Sequence, residues 1–149
     1  MEDPKVVLQR ARYIQRRIDQ RQAELKRIRE MRSYIQGVDY SAVRVKHTGG
    51  RGPVERLALS SRTEELERWL REDVERLAEA KLEAIGLITL LDNAGGAQDV
   101  LWEYYIHALR TWDDVAEQVG YSTRHVLRIH GEALQALRRI MSLNVTPEV

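Results

Sequence analysis

Arg124 and Arg128 stand four residues apart. On a helix that spacing places both on one face. A guanidinium there can bond both acceptors on the major-groove edge of a guanine. Ser122 and Thr123 lie just ahead, at a predicted helix start, where hydroxyls and unpaired backbone N–H groups suit a phosphate. His125 and Leu127 belong to the same opening turns, and Arg138 and Arg139 are placed to reach backbone on a neighbouring turn. The candidate DNA-contacting set is therefore Ser122, Thr123, Arg124, His125, Leu127, Arg128, Arg138 and Arg139.

Such a set needs two helices to aim it, and the stretch Trp112 to Ile129 has the pattern of a helix-turn-helix. Ala116 supplies a small residue where the helices cross. Gly120, four residues on, supplies the turn with a residue tolerant of positive φ. Val115, Val119, Tyr121, Val126 and Ile129 fill the angle between the helices, and polar residues open the second helix. Thr111 is the expected N-cap of the first helix, with Asp114 at the capping-box position, and Ser122 caps the second, which runs to about Ser142.

Other chemistry is poorly supplied. The chain has no cysteine, which excludes a disulfide scaffold and a thiolate metal site. His125 and His130 are five apart and do not share a face, so no metal or cofactor is expected, and His130 is read as packing or capping locally. Asp113 and Asp114 are adjacent and diverge on a helix; both favour its positive N-terminus rather than acid–base work. Trp69, Trp102 and Trp112 read as core or interface residues. Gly49-Gly50-Arg51-Gly52 lacks the lysine and following helix of a phosphate-binding loop. It leaves Lys46, His47 and Arg51 as a minor contact to DNA or a partner. No nucleophile motif is present, and the expectation is not an enzyme.

The remaining elements read as long helices, giving an all-α chain. Asp3-Pro4 starts the first, over about Pro4 to Gln36. Its apolar seam has two rows: Val7, Ile14, Arg21, Ile28, Ile35, and Ala11, Ile18, Leu25, Arg32. Arginine interrupts each row once, and Gly37 is the expected stop. A connection follows at about 37–61, with a short extended piece expected at Ala42 to Lys46. A second long helix is predicted from about Arg62 to Leu91, opened by Ser61-Arg62-Thr63-Glu64. Its seam is Leu70, Leu77, Ala84 and Leu91, flanked by Leu66, Val74, Ala80 or Lys81, and Leu87 or Ile88. Two helices of matched length bury such seams as an antiparallel, coiled-coil-like hairpin, or between two chains. After Asn93-Ala94-Gly95-Gly96 the texture changes to shorter helices, the first over Asp99 to Leu109. The expected domains are 1–92, a helical hairpin for oligomerisation or partner binding, and 93–149, the helix-turn-helix.

Composition agrees with solvated helices. Of 149 residues, 32% are charged, none is Phe, and only 9 are Gly and 3 Pro, which excludes a disordered low-complexity chain. The net charge of +1 excludes a polycation that coats DNA indiscriminately. The order of charges is more informative: residues 1–37 carry +5, 57–92 carry −4, 93–121 carry −4 and 122–149 carry +2. A basic first helix thus faces an acidic second one, and a basic last helix stands on an acidic base. Neither a membrane-spanning run nor an apolar leader is visible, so a cytoplasmic location is expected.

The run Tyr104-Tyr105-Ile106, Thr111-Trp112-Asp113-Asp114-Val115-Ala116, Gly120-Tyr121-Ser122, Val126, Ile129-His130 and Ala133-Leu134 resembles region 4 of bacterial sigma factors. More narrowly, it is similar to phage late transcription regulators of the ArpU and RinA type. The resemblance covers about Leu91 to Arg138. Tyr104 stands where that family often has arginine, and Ala108 to Arg110 fill a turn where it often has glycine. The resemblance implies sequence-specific binding of double-stranded DNA, with the helix from Ser122 in the major groove. It also implies a phage or prophage regulator whose hairpin makes a homodimer or touches RNA polymerase. Two alternatives stay open: a small DNA-recognition subunit of a phage terminase, and a helical adaptor that binds no DNA.

Overall fold

The computed structural model describes residues 2–37 and 51–144. It is all-helical there, with five helices: α1 (Pro4–Gly37), α2 (Arg51–Ile88), α3 (Ala97–Leu101), α4 (Trp112–Val119) and α5 (Thr123–Asn144). The first two are long and adjacent, the expected N-terminal hairpin. The extended piece expected at 42–46, and Lys46 and His47, lie outside the described residues. The chain divides into two compact units. One is Arg17–Val74; the other takes the residues up to Arg16 together with those from Glu75 onward. The division thus falls within both long helices rather than at the change of texture near Asn93.

In the Arg17–Val74 unit the two helices pair antiparallel within the chain. Arg62 Nε donates to Glu24 at 2.9 Å, and Arg17 to Asp73 at 2.7 Å. Leu25, Ile28 and Leu66 form the core, with Leu59, Trp69 and Leu70 packed against it. The expected start of α2 at Arg62 is corrected to Arg51. Val54 to Leu59 are ordinary helix formers, and Pro53 falls in the first turn, where a missing N–H costs nothing. Ser61-Arg62-Thr63-Glu64 is therefore not a cap: Thr63 is buried and its hydroxyl donates back to the Leu59 carbonyl at 2.8 Å.

The seam of α2 also differs by one residue from the expected one. Val74 is 55% exposed, and Asp73 is fully buried in its place. Arg21, from the inward row of α1, is the reason. It and Arg17 both bond the Asp73 carboxylate, so the arginine that interrupts the α1 seam meets an acid in the α2 seam. The Arg21 guanidinium also lies 4.8 Å from the Trp69 ring centre, a favourable cation–π arrangement.

The other unit is built from both ends of the chain. Leu8, Ala11 and Ile14 of α1 and Ala80, Ala84 and Ile88 of α2 are buried, as are Val100, Leu101, Val115, Val126, Leu134 and Leu137. Arg10 pairs with Glu83 at 3.3 Å. The helix expected over Asp99 to Leu109 is shorter. After α3 one π-helical turn, Trp102–Ile106, ends it, and Ala108 takes a positive φ of 54°. Arg12 accounts for the ending. It is buried, and its guanidinium donates to the carbonyls of Tyr104 at 3.0 Å, Leu109 at 2.6 Å and Arg110 at 3.2 Å. The Tyr104 carbonyl is one that the helix end leaves without an intrahelical partner, and the other two belong to the loop that follows.

Candidate nucleic-acid interface

The turn between α4 and α5 follows from three local choices. Thr111 accepts from the Asp114 N–H at 3.1 Å and Asp114 accepts from the Thr111 N–H at 3.3 Å, a complete capping box. Gly120 closes α4 in the left-handed region at φ 81°, and its N–H donates to the Ala116 carbonyl at 2.9 Å. Ser122 Oγ then accepts from the His125 N–H at 3.2 Å and caps α5. Val115, Ala116, Val126 and Ile129 pack with Val100 in the angle, and Val119 and Trp112 flank them. Tyr121, expected in that angle, is 41% exposed instead; its ring lies against Gly96, where an added Cβ would stand 3.1 Å away.

Burial of Val126 and Ile129 leaves the other face of α5 outward. Arg124, Leu127 and Arg128 are all exposed, Leu127 by 45%. One Arg128 nitrogen lies 2.9 Å from His125 Nδ1, so the imidazole is the acceptor and holds the guanidinium. His125 in turn meets Tyr121 edge-on at 4.9 Å. Thr123 is used within the fold: its hydroxyl donates to Asp113 Oδ1 at 2.6 Å, tying the start of α5 to that of α4. What Thr123 has left for a phosphate is its backbone N–H, among the first of the helix.

Arg138 and Arg139 part company. Arg138 makes a two-pronged bond to Asp3, at 2.8 and 3.1 Å, and is spent on the start of α1. That bond holds the Asp3 carboxyl below its ordinary range and raises Arg138. Arg139 is exposed and shares an open groove beside α5 with His125, Arg128 and Glu132. No family model, curated protein or solved structure matches this chain. The site therefore rests on its own geometry.

His130 packs, as expected. It faces Tyr105, whose hydroxyl lies 2.6 Å from Nε2, and its ring stands 4.5 Å from Trp112. Burial pushes its pKa down to about 4, with a smaller contribution from the charge of Lys5, so it is neutral at neutral pH. Burial also raises the Tyr105 phenol. Trp112 stacks on Tyr104 at 3.8 Å, and the Arg12 guanidinium lies 3.9 Å from the Tyr104 ring centre, so this cluster is core rather than site. Among the described residues no group of three or more His, Cys, Asp or Glu could hold a metal, and no helix is long and apolar enough to cross a membrane.

Two residues escaped the sequence reading. Arg12 carries no local signal, because its partners lie 92 to 98 residues away. Gly131 did carry one: it is a glycine inside a helix, exposed, with nothing within 4 Å of an added Cβ.

Proposed function

We propose that this protein is a sequence-specific binder of double-stranded DNA that regulates transcription, similar in its C-terminal module to phage late regulators. One observation carries the reading. A capped helix, a left-handed glycine turn and a second helix bury Val126 and Ile129 and leave Arg124, Leu127 and Arg128 outward on the opening turns. Those turns are the ones a helix-turn-helix lays against base edges. Arginine there suits guanine, and an exposed leucine suits the methyl group of thymine. The cap at Ser122 and the first N–H groups of α5 suit a phosphate.

The hairpin of α1 and α2 serves, on this reading, to make a homodimer or to touch RNA polymerase. The test is a footprint on a duplex selected from a random pool, with Arg124→Ala and Arg128→Ala combined. Loss of specific binding of about a hundredfold or more is expected, at unchanged far-UV helicity. Retention of the same footprint would overturn the assignment. The wild-type affinity should fall steeply between 50 and 200 mM salt, as counterions leave the phosphates.

A further inference from the structure

An exposed glycine in a helix interior weakens the helix relative to alanine. Here the protein's own packing does not require the missing side chain. Gly131 is exposed, and an added Cβ would meet no atom within 4 Å. Its place on α5 is informative. At 100° per residue it lies within about 60° of Arg124, Leu127 and Arg128, at the centre of the outward face. The arginine one turn before it is Arg128, which is already held by His125 at 2.9 Å.

We propose that Gly131 is the point where DNA approaches α5 most closely, with the His125-braced Arg128 reading a guanine beside it. The inference rests on the DNA-binding reading and deepens it. A flat stretch of helix backbone admits the wall of the major groove, so the guanidinium reaches guanine N7 and O6 from a fixed distance. His125 acts as a positioning residue: its Nδ1 accepts from Arg128 and limits the rotamers the arginine must give up on binding.

Gly86 provides an internal control. It too is helical, exposed and uncrowded, but lies on α2. Gly131→Ala and Gly86→Ala are each expected to raise the melting temperature by about 3 °C. Only Gly131→Ala should weaken binding to the selected duplex, by about tenfold or more. Replacing guanines of that duplex singly with 7-deazaguanine locates the contact. His125→Ala should lose the preference for guanine there, and His125→Asn, whose Oδ1 stands where Nδ1 does and accepts the same bond, should keep it. Unchanged affinity in Gly131→Ala overturns the close approach, and equal behaviour of the two His125 variants overturns the bracing. Failure of the wild-type protein to bind any duplex would instead remove the DNA-binding reading, and this inference with it.

Discussion

His130 shows how a single side chain can report on the whole fold. In the folded chain it is neutral, with a pKa pushed to about 4 by burial against Tyr105 and Trp112. In the denatured chain it titrates near the ordinary 6.5. Between those values the denatured state binds more protons, so stability falls as pH drops from about 6.5 and levels off below about 4. The loss is on the order of 3 kcal/mol. Urea melts across that window should show it, and His130→Gln should flatten the slope; a variant with the wild-type slope would sink the attribution. The histidine's packing role was legible because it stands beside buried Ile129 and away from the polar start of α5. Its partner Tyr105 was not, because 25 residues separate them.

At the scale of elements, periodicity located both long helices but misplaced one face by a residue. An apolar template selects Val74 over Asp73, whereas the fold buries the acid because Arg21 of α1 brings an unpaired charge to the same level. An isolated sequence gives that information only if the two rows are read together. The consequence is measurable. Asp73→Ala leaves Arg17 and Arg21 partly buried without their carboxylate and should cost about 3 kcal/mol in a urea melt. Replacing Arg17, Arg21 and Asp73 together by leucine should recover most or all of that loss, since an apolar triad fills the seam without desolvating ions. If the triple variant is as unstable as Asp73→Ala, the triad contributes more than charge neutralisation. The start of α2 was missed for a different reason: a capping motif read at Ser61 is only a cap where no helix precedes it. The turn between α4 and α5, by contrast, was legible nearly to the residue, because Thr111, Asp114, Gly120 and Ser122 act on their immediate neighbours.

At the scale of the molecule, the unit that holds α4 and α5 also contains the first turns of α1 and the last turns of α2. A fragment of residues 93–149 lacks Leu8, Ala11 and Arg12, and so leaves the carbonyls of Tyr104, Leu109 and Arg110 without their donor. That fragment is expected to show no cooperative thermal transition by circular dichroism, whereas the full chain melts sharply. A fragment that melts like the full chain would show the α1 contribution to be dispensable.

The bond between Asp3 and Arg138 spans 135 residues of sequence. During synthesis the first of these residues leaves the ribosome on the order of 10 s before the second. Throughout that interval Asp3 lacks its partner, and Arg12 lacks its acceptors until residues 104–110 have emerged. The candidate DNA-binding unit is therefore completed only when nearly all of the chain has been made. A message cut short before α5 yields a polypeptide with an incompletely covered α1, open to chaperones and proteases, rather than a folded fragment that persists.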